Sequence, residues 1–494
     1  MTESYHRLTI PELLLARATT TPERLALQVE GAENITFGEW DQRSNALAHE
    51  LAGRGISRGD RVGLLYAERD WTDFAIATCA VHKVGGVIVP LSDRLAPAEV
   101  RHMLLDCEVS AILHGQGVEP PAVGRWRATA KDLGGGDTAP VAGGPRPDDL
   151  AQILYTSGTT GRPKGVGASH ANLTFGCQIG PRRRKLAHSR HFLHAFPIGS
   201  NAGQTMLVNA LETRPTALTL PRFTPGRFAR LIESYRVGTV FVVPAMAIEL
   251  LNAGVQDRHD LSSVRLLGST AAGLPPAVAV RLAGAFPNAT IVNYYTSTEA
   301  APAQTVMVFD PDRPQSVGRP TSGSRLMIAD AGGRRVPPGE IGEVWLRSPA
   351  GSRAYYRDRR LSEQVFRDGW VRMGDVGYLD HDGYLYLVDR DGDVIKSGAF
   401  KVSTLQVEAA LYEHPAVAEA AVVGLPHPVL GMVAGAGVVT RSPVSATELR
   451  TFLLDRLAAH ELPNRLVFLP ALPKNHLGKV IKPEMRQLLT SPDA

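Results

Sequence analysis

The chain has 494 residues, 53 of them Lys or Arg and 49 Asp or Glu, which leaves a net charge of +4. That length exceeds what a single hydrophobic core supports, so at least two domains are expected. With 44% hydrophobic and 21% charged residues the composition is that of a soluble globular protein, and so small and dispersed a charge excess argues against nucleic-acid binding.

From the N-terminus, Ile10-Pro11-Glu12-Leu13-Leu14-Leu15 has helical spacing with proline in the first turn, and residues 36–48 give a second amphipathic helix. Residues 61–66 read as a strand, 73–84 as a helix ended by Gly85-Gly86, and 87–91 as the next strand. Helices alternating with short apolar runs predict α/β layers with largely parallel sheets. Residues 115–147, rich in Gly, Pro and Ala, read as a loop. Residues 152–155 read as a buried strand, and 166–173, beyond a glycine-rich loop, as a return to helix. Further strands are expected at 191–196, 216–220, 239–243, 264–267 and 290–295, with a helix opening at Pro197 and running to about Leu211. From Val317 the texture changes to short alternating strands with glycine turns, at 326–329, 342–347 and 383–388, which predicts a small antiparallel, β-barrel-like subdomain. The polar, turn-rich Asp389-Arg390-Asp391-Gly392-Asp393 is the expected boundary between a large domain, 1–390, and a small α+β domain, 391–494. Helices are expected in the small domain at 403–412 and 446–457.

No apolar run reaches membrane-spanning length. Cys79, Cys107 and Cys177 lie far apart and fit neither a metal spacing nor a disulfide framework. The first residues are polar and carry no signal-peptide pattern, so a reducing cytoplasm is the expected compartment.

The segment Tyr155-Thr156-Ser157-Gly158-Thr159-Thr160-Gly161-Arg162-Pro163-Lys164-Gly165 carries the chemistry. Seven of its eleven residues are Gly, Ser or Thr, and it leaves an apolar strand. Such a loop suits a polyphosphate: glycine lets the backbone approach, hydroxyl and N–H groups donate, and Lys164 supplies charge. The rival P-loop pattern fails, because Pro163 and Gly165 flank Lys164. A solvated linker has no reason to hold Arg-Pro-Lys. At the end of another apolar strand, Tyr295-Thr296-Ser297-Thr298-Glu299 offers an aromatic ring for a base and a carboxylate for Mg²⁺.

These motifs, in this order, resemble those of the adenylate-forming superfamily: acyl- and aryl-CoA synthetases, peptide-synthetase adenylation domains and luciferases. The resemblance covers almost the whole chain. It implies a mobile C-terminal domain and a reaction in two halves, in which a carboxylate attacks the α-phosphate of ATP and a thiol then expels AMP. By resemblance, Thr156, Ser157, Gly158, Thr159, Thr160 and Lys164 hold the phosphates, and Glu299 holds Mg²⁺. Thr270, Ala271 and Ala272 flank adenine and acyl group, and Tyr295 and Thr296 meet the adenine. Asp375 and Arg390 match ribose positions, while Lys479 steadies the carboxylate and α-phosphate and is the expected catalytic lysine alongside Glu299. Gly392 takes the hinge position, and Gly398 lines the tunnel for the pantetheine arm of CoA. Residues 83–91 resemble an early family motif expected to serve packing. The run Arg182-Arg183-Arg184-Lys185 is expected to be a solvated loop, with a contact to CoA phosphate as the sharper reading.

Four positions depart from the family pattern: Ser200 replaces a bulky His, Thr270 a Gly, Thr296 a Gly and Met373 a Thr. They either reshape the pocket for a large acid or weaken adenylation. No Asp appears in the Ile198–Asn201 segment, which argues against an α-amino acid, and a hydrophobic or polycyclic carboxylic acid is the default. The leading expectation is an acyl-CoA synthetase using ATP, Mg²⁺ and CoA. An enzyme of one half-reaction, a ligase loading a carrier protein, and an inactive nucleotide-binding regulator stay open as alternatives.

Overall fold

The computed structural model describes residues 7–133, 135–156, 163–180, 184–321, 323–390, 393–397, 400–475 and 478–491. Six parallel strands form the centre of the largest sheet, in the order Leu25–Val29, Thr216–Thr219, His191–His194, Thr239–Val242, Leu266–Ser269 and Thr290–Tyr295. Apart from Leu25 at the outer strand, their aliphatic residues are largely buried, as parallel strands require. A second, seven-stranded sheet is built on Arg61–Tyr66, with Val87–Ser92 and Leu150–Thr156 on one side and Ala111–His114 on the other.

The helix Trp71–Lys83 is buried almost throughout, because it belongs to the core cluster shared by the two sheets. Its last residue, Lys83, buries its ammonium against the helix Phe37–Gly53. There it donates to Asp41 Oδ1 at 2.7 Å, Ser44 Oγ at 2.8 Å and Asn45 Oδ1 at 2.6 Å. Helix starts follow local chemistry: Thr9 with Glu12, and Thr36 with Glu39, form reciprocal capping boxes.

Three expectations are corrected. Of residues 166–173 only His170–Leu173 is helical: Lys164–Ser169 is a strand antiparallel to Leu150–Thr156, in a register that sets Thr156 opposite Lys164. Within 115–147, Trp126–Thr129 is a strand that extends the second sheet, followed by the short helix Ala130–Leu133. The antiparallel strands beyond Val317 are not a closed barrel. Ser316–Pro320, Leu385–Arg390, Trp370–Leu379, Gly342–Arg347 and Arg325–Ala329 continue the largest sheet as an open path. They enclose a cluster of their own around Leu326, Val344, Leu346 and Leu385.

The C-terminal part is a smaller α+β unit. Its sheet pairs Val417–His427 with Gly431–Thr440 over ten positions and is covered by the helices Thr404–Tyr412, Ala446–Leu454 and Lys482–Thr490. Its two apolar clusters are built from buried residues within 395–489, and Tyr412 packs against both one of these and the N-terminal core.

Candidate active site

Ligands of open α/β sheets bind at the carboxyl ends of the strands, and the predicted residues gather there. Leu266–Ser269 runs into Thr270, whose N–H donates to Val242 O at 3.1 Å, and then Ala271 and Ala272, both exposed. Ala271 has φ +73°, a left-handed conformation that costs an L residue about 1–2 kcal/mol. A glycine would adopt it freely.

One strand further, Tyr295 ends Thr290–Tyr295, and its hydroxyl donates to Asp375 Oδ2 at 2.5 Å. Arg390 Nε donates to Asp375 Oδ1 at 3.2 Å, because Trp370–Leu379 and Leu385–Arg390 place residues 375 and 390 opposite each other. Asp375 is only 7% exposed. Burial first, then the Asp375 charge, push the Tyr295 phenol well above its ordinary pKa, so it stays a donor. Thr296 turns its hydroxyl away, to Ala303 O at 2.7 Å. Its methyl-bearing side chain is therefore fixed by the turn that follows.

Glu299 Oε1 accepts from the Tyr355 hydroxyl at 3.0 Å, and Lys164 Nζ lies 5.9 Å from the centre of the same ring. Tyr355 reaches this place because Ala354–Tyr355 pairs with Lys164–Ser169. Behind it, buried Arg353 donates to Thr298 O at 2.8 Å. Burial draws the Arg353 guanidinium down to about 10, against the pull of Glu299. Among the described residues no group of three His, Cys, Asp or Glu could hold a metal by itself. One carboxylate beside a phosphate loop still fits Mg²⁺, which takes one or two protein carboxylates and completes its shell with phosphates and water.

Lys479 follows Gly478, which has φ +76°. A tight turn holds it, with Lys479 N–H donating to Asn475 Oδ1 at 2.9 Å. Gly478 lies against Ala245, which begins the turn of helix Pro244–Asn252, so this C-terminal loop reaches the N-terminal part. The Lys479 ammonium keeps contact with solvent, yet its pKa is lowered by crowding protein and then by Arg390, with Asp375 and Asp393 opposing. Lys479 therefore lies within electrostatic reach of Asp375 and Arg390.

Ser200 and Met373 have structural occupations. Ser200 caps the helix Asn201–Glu212, accepting from Gly203 N–H at 3.0 Å and donating to Pro197 O at 2.7 Å. Met373 is buried in the antiparallel cluster. Ser157, Gly158, Thr159 and Thr160 of the phosphate loop, the hinge residues Asp391 and Gly392, the tunnel residue Gly398, and Arg182 and Arg183 lie outside the described residues. Tyr355 and Arg353 escaped the sequence reading. The paired aromatics Tyr355-Tyr356 between arginines were the available signal.

The profile of the AMP-binding enzyme family matches residues 14–356, and that of the AMP-binding enzyme C-terminal domain matches 406–479. This chain belongs to the AMP-binding enzyme family. Family members similar to it include a feruloyl-CoA synthase of Amycolatopsis, 34% identical over 95% of this chain and 97% of that one. A 2-succinylbenzoate–CoA ligase of Bacillus licheniformis is 31% identical over 96% and 98%. Among solved structures, the o-succinylbenzoate CoA synthetase of Bacillus subtilis in complex with its acyl-adenylate intermediate superposes with a TM-score of 0.84, at 27% identity over 97% of this chain and 98% of that one.

Proposed function

We propose that this chain is an ATP-dependent, AMP-forming acid–CoA ligase acting on an aromatic or similarly bulky carboxylic acid. The observation that carries the reading is the meeting of Tyr295, Asp375, Arg390 and Lys479 at one sheet edge, in a chain matched nearly end to end by acid–CoA ligases. In the first half-reaction a carboxylate oxygen attacks the α-phosphorus and pyrophosphate leaves. In the second, the CoA sulfur attacks the acyl carbon and the C–O bond to AMP breaks.

Each residue has a role in this scheme. Tyr295 stacks on adenine, while Asp375 accepts from the ribose hydroxyls, with Arg390 steadying it. Thr156 and Lys164 engage the phosphates together with Ser157, Gly158, Thr159 and Thr160. Glu299 would hold Mg²⁺, which supplies charge neutralisation for the phosphates. Lys479 bridges the attacking carboxylate and the α-phosphate. Residues 1–390 form the acid- and ATP-binding domain and 391–494 the domain that turns about Gly392, bringing Gly398 to the pantetheine arm in the second half. No helix among the described residues is long and apolar enough to cross a membrane, and we assign the enzyme to the cytoplasm.

A mass-spectrometric assay with two arms tests this over a panel of aromatic acids. One arm supplies acid, MgATP and CoA; the other supplies synthetic acyl-AMP and CoA. Acyl-CoA in both arms is the expected result. Product from acyl-AMP alone would restrict the enzyme to thioester formation, and product in neither would overturn the assignment.

A further inference from the structure

Glu68 is a buried carboxylate in neither nucleotide nor phosphate machinery, only 6% exposed, in the short turn after Arg61–Tyr66. One oxygen, Oε1, accepts from Ser92 Oγ at 2.9 Å, at the end of Val87–Ser92. The other, Oε2, accepts from the Ile198 N–H at 2.9 Å. Ile198 O in turn accepts from buried Gln204 Nε2 at 2.6 Å. Glu68 thus ties the carboxyl ends of two strands in the second sheet to the loop that leaves His191–His194 in the first. A side chain at position 199 would meet Ser92 N at 3.4 Å, so the loop lies closely on the second sheet.

The loop's place gives the tie a purpose. His191–His194 lies three strand positions from Thr290–Tyr295, with Thr239–Val242 and Leu266–Ser269 between. At about 4.8 Å per strand that is roughly 14 Å along the same carboxyl edge, the reach of an acyl group extending from an adenylate whose base is at Tyr295.

We propose that Glu68 is the positioning residue that sets the acid pocket, by fixing the Pro197–Ser200 loop through the Ile198 N–H. This rests on the ligase reading above. Burial pushes the Glu68 carboxyl up to about 7, with Asp93 adding to the rise and Arg94 opposing it. Near neutrality a neutral amide is therefore a close stand-in: Gln can accept from Ile198 N–H through its oxygen and donate to Ser92 Oγ.

Steady-state kinetics of acyl-AMP formation on the full chain, with acid and MgATP varied in turn, test the proposal. Glu68→Ala raises KM for the acid at least about fivefold and leaves KM for MgATP within about twofold, the loss expected for a buried hydrogen bond. Glu68→Gln stays within about twofold on both. Ser92→Ala, which guards against poor folding of Glu68→Ala, raises KM for the acid in the same direction by a smaller factor. Wild-type turnover with equal rises in both KM values, or an unchanged KM for the acid in Glu68→Ala and Ser92→Ala, overturns the role of Glu68 alone. A wild-type enzyme that forms no acyl-AMP from any acid overturns the ligase reading and this role with it.

Discussion

Tyr355 stands between two charges that would otherwise attract each other. Its hydroxyl engages Glu299 and its ring faces Lys164, so the carboxylate proposed for Mg²⁺ and the ammonium proposed for the phosphates contact different parts of one side chain. Tyr355→Phe removes a hydrogen bond to a charged group and is expected to lower kcat/KM for MgATP about tenfold, with KM for the acid unchanged. ATP–pyrophosphate exchange over a Mg²⁺ titration measures this, and an unaltered Mg²⁺ dependence would count against it. Lys479→Ala is expected to cut acyl-AMP formation by about 100-fold or more, yet leave thioester formation from added acyl-AMP within a few-fold. Equal losses in both would refute the role given to Lys479. Residues in contiguous motifs, such as Tyr295 and Glu299, were singled out in the sequence by their resemblance to a family motif. Tyr355 and Glu68 were not. Their partners lie 56 and 130 residues away, and only folding brings them together.

Two histidines connect the antiparallel strands Leu150–Thr156 and Lys164–Ser169 to the core. His82, on the helix Trp71–Lys83, bonds Ala151 O at 3.0 Å in the strand Leu150–Thr156, and its ring meets His170 at 4.7 Å. Both are buried, and burial holds His82 down at about 4 and His170 well below its ordinary value. Each is therefore neutral in the folded protein, whereas the unfolded chain takes up protons once pH falls below about 6.5. Stability is full above that value and is lost as pH falls toward 4, by on the order of 3 kcal/mol for His82 alone. Thermal unfolding between pH 7 and 4 should show a falling Tm, with a shallower fall in His82→Gln; parallel slopes would exclude His82 as the cause. Helices were legible at this scale because their signals are local, as with the apolar spacing and first-turn Pro11 of Ile10–Thr20. The strand Lys164–Ser169 was not, since small residues such as Gly165 and Gly167 give no period and its conformation comes from pairing on both sides.

The polar run at 389–393 is where the sequence suggests the chain divides into a large and a small part, and contacts on either side of it bear on motion. Asp389 Oδ2 accepts from the Thr404 N–H at 2.6 Å, and Lys482 Nζ pairs with Asp393 at 2.9 Å, so the small part is fastened close to the proposed pivot. A swing of the small domain would exchange the Asp389–Thr404 contact while carrying the Lys482–Asp393 pair along. Gly392→Pro is expected to slow complete turnover to acyl-CoA more than acyl-AMP formation, and wild-type rates in both would remove Gly392 as the pivot. The barrel-like closure read from the alternating strands failed because alternation fixes which side chains face a core, not whether the last strand meets the first.

That open path also bears on how copies of the molecule meet. Among the described residues Arg325–Ala329 is paired on one side only, apart from a single bridge between Ala329 and Arg335. A bare strand edge is a template on which another chain can add. Here the edge is five residues long and starts with exposed Arg325. Beyond it, the turn locked by Asp330 and Arg334 folds back over the far end. A neighbouring strand would have to bury a guanidinium and displace that turn before its first hydrogen bonds formed, so the exposed edge resists self-association in a concentrated solution.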